Sequence, residues 1–113
     1  MSDPIVLSPD APMAHYQRYI NQLEALHGWL EVDLVHNCFL MGEEVGELFK
    51  AVRRHIKLFE QGDAEPLEAS TTEVADEIVD VFNYLLAIAN RLDIDLEAAF
   101  RAKNAINQTR TWT

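Results

Sequence analysis

Between Val74 and Leu92 apolar side chains cover more than one stripe of a helix. Val74, Ile78, Val81, Phe82 and Leu85 follow the helical period, and Val79, Tyr84, Leu86, Ile88 and Ala89 fill the spaces between them. A helix apolar nearly all round has to be buried nearly all round. A chain of 113 residues builds one core of modest size. The segment therefore calls for helices packed on helices, with part of its surface meeting a second copy of the chain. The alternative is a helix central to its own bundle.

The rest of the chain repeats the helical period. Met13, Tyr16, Ile20, Leu23 and Leu26 predict a helix over 11–28, with Asp10 as its N-cap and Gly28 as its stop. A second helix is expected over 33–61, with Cys38 as a small core residue, and a loop over 62–69 marked by Gly62-Asp63 and Pro66. Ser70 followed by Glu73 forms a capping-box pattern that opens a third helix running to Arg91. Asp95 caps a fourth, over 95–107. No segment alternates as a strand would. The fold class is all-α: a four-helix bundle completed by homo-oligomerisation, with an irregular N-terminal arm over 1–10 and a single helical domain over 11–113.

Charge narrows the partners. Nineteen acidic residues against nine basic ones give a formal charge of −10. A duplex nucleic-acid binder or a membrane-surface protein carries the opposite balance, so no nucleic acid and no membrane is expected as a partner. One cysteine allows no intrachain disulfide. The N-terminus lacks the basic start and apolar run of a signal peptide, and the longest nearly apolar stretch, Val81 to Ala89, is too short to span a bilayer. A cytoplasmic protein is the expectation.

The acids are not scattered. Glu43-Glu44-Val45-Gly46-Glu47 lies in the second helix and Glu77-Ile78-Val79-Asp80 in the third. Residues three or four apart share a helix face, so Glu44 pairs with Glu47 and Glu77 with Asp80. Glu43 sits at the edge of the first pair's face, and Asp76 reaches the side of Asp80. One such pair alone reads as a solvated surface, because charged residues are normally exposed. Two pairs, each set in a strongly apolar helix, read differently. If the helices pack antiparallel, the carboxylates meet inside the bundle and repel unless a hard divalent cation neutralises them; Mg²⁺, with Mn²⁺ as substitute, takes oxygen ligands of this kind. Gly46 is expected to leave room beside the site. A di-iron carboxylate centre would need Glu-x-x-His pairs, and none is expected at His15, His27, His36 or His55.

The ordered set Glu44-Val45-Gly46-Glu47-Leu48, Glu77-Ile78-Val79-Asp80-Val81 and Tyr84-Leu85-Leu86-Ala87-Ile88-Ala89-Asn90-Arg91-Leu92 resembles the MazG-like all-α nucleoside triphosphate pyrophosphohydrolases. The tail Lys103 to Arg110 is similar to their closing K…N…R pattern. The likeness covers about residues 25–112. The interval from Glu47 to Glu77 is long for the family, the extra length falling near 62–69.

The resemblance implies hydrolysis of a (d)NTP to its monophosphate and pyrophosphate with Mg²⁺ or Mn²⁺, in a house-cleaning role. It makes Glu44, Glu47, Glu77 and Asp80 the metal ligands and gives Glu43 the attacking water to orient or deprotonate. A triphosphate is itself strongly anionic, so an acidic site binds it through metal bridges. Two other readings stand beside this one: an enzyme acting on phosphoribosyl-ATP, and a catalytically silent helical interaction module. The oligomer expected is a tetramer built as a dimer of dimers.

Several further residues have two readings each. Lys103, Asn107 and Arg110 share one helical face, and either hold phosphate or sugar or form a cationic C-terminal turn that suits the helix dipole. Trp29 either stacks on the nucleobase or covers the bundle end. Tyr84 lies near the nucleotide or in the core. His36 faces the pocket or is structural, and Asn83 hydrogen-bonds a ligand or a carboxylate. Lys50, Arg53, Arg54 and Lys57 read as a solvated basic face, and Trp112 as a residue that docks the tail on a neighbouring subunit.

Overall fold

The computed structural model describes residues 4–62 and 64–111, and the side chains of these except 59 and 64–67. Asp63 and Trp112 lie outside the described residues. The described residues are 81% helical, with no strand among them, so the class is all-α as the apolar period required. The helices are α1 (Met13–His27), α2 (Leu34–Gln61), α3 (Ala64–Arg91) and α4 (Leu96–Thr109), with a 3-10 turn at Trp29–Glu31. No helix among the described residues is long and apolar enough to cross a membrane. The chain divides into two compact units, one of residues 1–32 with 86–113 and one of residues 33–85.

In the first unit, α1 begins after Pro12 with no side-chain cap of its own. The expected cap, Asp10, instead takes a left-handed backbone (φ 57°), outside the helix. The Met13 N–H donates to Glu97 of α4 (3.2 Å), so a side chain distant in sequence does the capping. Gly28 ends α1 as expected, at φ 73°. Gln17 ties α1 to the end of α3 and the start of α4. It donates to Asn90 (3.1 Å) and to the Ile94 carbonyl (2.8 Å), accepts from the Leu96 N–H (3.0 Å), and its carbonyl accepts from Asn90 (2.8 Å). Ile20, Leu86, Ala87 and Ala89 form the apolar core here. Asp95 caps α4 as read, accepting from the Ala98 N–H at 3.1 Å.

α3 ends differently from a glycine stop. Ile94 N–H donates to Ala89 O (2.9 Å) and Asp93 N–H to Asn90 O (3.3 Å). That is a Schellman ending, with Asp93 in the left-handed position at φ 53°. Arg91, at the same end, donates to the carbonyls of Val32 and Trp29 and faces Glu24 at 4.0 Å. Glu24 is only 7% exposed. Burial raises its carboxyl pKa, and the Arg91 charge offsets part of that rise.

The second unit holds α2 and most of α3, antiparallel and joined through Gly62 at φ 75°. Asp33 caps α2, accepting from the Val35 and His36 N–H groups (3.1 and 3.3 Å). The hairpin's register shows in its contacts: His55 meets Ser70 (2.8 Å) and Arg54 meets Glu73 (3.6 Å).

Three expectations fail in this unit. Residues 64–69 are helix, not loop, because α3 starts at Ala64, and Ser70 is no N-cap but an interior residue 2% exposed. Pro66 falls in the first helical turn, where its missing N–H is harmless, and Ala, Glu and Leu around it favour helix. Cys38 is exposed, not core; it shares an outward strip of α2 with Val35 and Phe39. The basic residues Lys50, Arg53, Arg54 and Lys57 are exposed, as a solvated face requires.

Candidate active site

Two antiparallel helices carry the acids to one level of the hairpin. On α2, Glu44 follows Leu40 and Met41 along the half-buried face; on α3, Glu77 lies between Val74 and Val81. One carboxylate oxygen each from Glu44, Glu77 and Asp80 lie within 4.8 Å of one another. Glu44 and Glu77 are half-buried, and Asp80 opens to solvent. Glu77 Oε2 is buried with no hydrogen-bond partner. Burial raises the Glu77 pKa most; a side-chain hydrogen bond with Glu44 and the charges of Glu44, Asp80 and Glu47 raise it further.

Such a site is costly as it stands. Like charges crowd together and one buried oxygen goes unpaired. Hard oxygen donors at this spacing fit Mg²⁺ or Mn²⁺, and a cation would satisfy the unpaired Glu77 oxygen and relieve the repulsion. The donor set contains no soft or imidazole ligand. The sequence does hold one Glu-x-x-His, Glu24 to His27, in α1. It forms no metal cluster among the described residues: Glu24 faces Arg91, and the His27 ring stacks on Trp29 at 4.4 Å. The pattern thus supports no di-iron site.

Of the acids expected here, Glu44, Glu77 and Asp80 are brought together. Glu47 stands outside that trio but near enough to act on Glu77 electrostatically. Glu43 and Asp76 are exposed. A Cβ at Gly46 would meet nothing within 4 Å, so the space beside it is open. Asn83 and Tyr84 are half-buried on α3, and His36 is exposed near the start of α2. Trp29, Lys103, Asn107 and Arg110 belong to the other unit. There Trp29 is 50% exposed and Lys103 and Arg110 are exposed. Asn107 is half-buried; it donates to Asn104 (3.2 Å), and its Oδ1 is buried without a partner. Sequence reasoning missed Asn37, which is buried in α2 with its amide nitrogen unpaired. Its signal was present: it lies seven residues before Glu44, on the same helix face.

Residues 8–106 match the phosphoribosyl-ATP pyrophosphohydrolase family, and the chain belongs to that family, within the MazG-like all-α NTP pyrophosphohydrolase superfamily. Its activity is accordingly that of a pyrophosphohydrolase on a nucleotide, an acid-anhydride hydrolase. No curated protein and no solved structure matches the chain significantly.

Proposed function

We propose that the protein is a divalent-metal-dependent pyrophosphohydrolase that converts a (d)NTP to its monophosphate and pyrophosphate, clearing unwanted nucleotides from the pool. The observation that carries this reading is the convergence of Glu44, Glu77 and Asp80, with one Glu77 oxygen buried and unpaired. These three residues hold the cation, and Glu47 adds a fourth carboxylate beside them. A bound Mg²⁺ or Mn²⁺ supplies Lewis-acid stabilisation of the charge that develops on the phosphates.

The chain's own groups do the rest. Glu43, exposed one residue before Glu44, orients the attacking water and takes its proton. The water oxygen bonds to the phosphorus next to the sugar as the bridging oxygen leaves with pyrophosphate. Tyr84, Asn83 and His36, in the same unit as the carboxylates, flank the nucleotide. A second copy of the chain covers the open groove of about 560 Å³ on α2 and α3 lined by Phe49, Val52, Ile56, Val74 and Ile78. The apolar lining supports that part of the proposal.

A second reading, hydrolysis of phosphoribosyl-ATP, is favoured by the family match itself. A panel of NTPs, dNTPs and phosphoribosyl-ATP, each with Mg²⁺ and Mn²⁺ and with pyrophosphate detected, separates the two. Turnover of one or more (d)NTPs above phosphoribosyl-ATP is expected. Turnover of phosphoribosyl-ATP alone would transfer the proposal to that substrate, and no turnover of any member would refute both.

A further inference from the structure

Asn37 is 3% exposed, and its Nδ2 is buried with no hydrogen-bond partner. A buried amide donor without an acceptor is costly, and native chains seldom retain one without a use. Its place in the hairpin suggests the use. Asn37 stands two turns before Glu44 on the same face of α2, about 10.5 Å along the axis. Tyr84 stands two turns beyond Glu77 on α3, which runs the opposite way, so the two residues fall at the same level. A phosphate chain at the carboxylates can extend along the hairpin in two directions. Towards the α2–α3 turn the inner face holds buried Ala51, and then His55 and Ser70, whose polar atoms hydrogen-bond each other. Towards Asn37 it offers a donor that the protein itself leaves unused.

We propose that Asn37 is a specificity-determining residue of this site, its side-chain amide donating to an acceptor atom on the nucleoside portion of the substrate. The proposal rests on the reading of Glu44, Glu77 and Asp80 as the reaction centre. It assigns the two ends of the hairpin face different tasks: the carboxylates handle the phosphates, and Asn37 reads what the phosphates are attached to. A site built to hydrogen-bond a substrate atom discriminates strongly against analogues that lack it.

The test compares the full chain with Asn37→Leu, which keeps the branching and heavy-atom count of the side chain and removes the amide, and with Asn37→Ala. Three quantities are read for each: KM and kcat across the nucleotide panel, Mn²⁺ affinity by calorimetry, and Tm. The expected result is a KM about five- to tenfold higher for the preferred nucleotide, the effect of losing one hydrogen bond. kcat and Mn²⁺ affinity stay unchanged, and the Tm of Asn37→Leu is no lower than that of the wild type, because a spare donor has been removed. A structural role would show the reverse, a fall in Tm with KM unmoved, and that result overturns the proposal. Failure of both variants to fold overturns it equally. If the wild type binds no Mn²⁺ and hydrolyses no nucleotide, the reaction-centre reading fails and the proposal falls with it; normal wild-type turnover with KM unmoved in both variants rejects Asn37 alone.

Discussion

Glu44 and Glu77, on neighbouring antiparallel helices, bring one carboxylate oxygen each within 4.8 Å of one another and of Asp80. At that range the charges repel, and burial and that repulsion raise the Glu77 pKa. A divalent cation removes the conflict. Metal should therefore act as a stabilising ligand: binding to the folded state alone adds about 2.7 kcal/mol at a hundred times its Kd. Thermal melts in EDTA and in excess Mn²⁺ should show a clear rise in Tm for the wild type. Asp80→Asn should lose most of that rise. Equal melting with and without metal in the wild type would contradict the metal site.

Glu24 gives the chain a pH dependence of known sign. Burial, opposed in part by Arg91, raises its pKa above the usual 4.5. A group raised in the folded state contributes stability that is fully present below about 4.5 and is lost as pH rises through the folded value. Glu24→Gln removes the titration. Relative to the wild type, the variant should gain stability between pH 4 and pH 7. Urea unfolding at the two pH values measures the difference, and a constant difference would show that Glu24 titrates normally.

Asp93 holds the left-handed position that ends α3. Asp tolerates this backbone better than a β-branched residue, and Gly better still. Asp93→Val should cost about 1–2 kcal/mol, and Asp93→Gly should cost nothing or stabilise slightly. Denaturant midpoints of the two variants check the order.

Gly42 lies inside α2, and a Cβ added there would meet nothing within 4 Å. Gly42→Ala should therefore stabilise the helix by about 0.8–1 kcal/mol, seen as a higher Tm. A loss of stability would mean that another surface packs against this position in solution.

These residues also show what a local reading of sequence can reach. The helical period, the Gly28 stop and the Asp95 cap depend on neighbours within a few residues, and the structure agrees with all three. The start of α1 and the start of α3 do not. Met13 is capped by Glu97 from the far end of the chain, and Ser70, capping-box pattern notwithstanding, is drawn inward to His55. Pro66 signals a turn or a first helical turn equally well, and only the structure tells which. At the site, the three-residue spacing was enough to pair Glu77 with Asp80. Which of Glu43, Glu44 and Glu47 meets that pair depends on the rotation of α2, which spacing leaves open. Asn37 went unread because a lone amide carries no motif; its burial gives it meaning.

The most direct test of the carboxylate centre is pyrophosphate release at saturating nucleotide and Mg²⁺, wild type against Glu77→Gln. The substitution keeps the size of the side chain and removes the charge whose unpaired oxygen points to a cation. The expected result is a rate lower by at least about a hundredfold, as losses around metal ligands imply, with the far-UV spectrum unchanged. A folded Glu77→Gln protein that releases pyrophosphate at the wild-type rate would contradict the assignment of Glu44, Glu77 and Asp80 as the reaction centre.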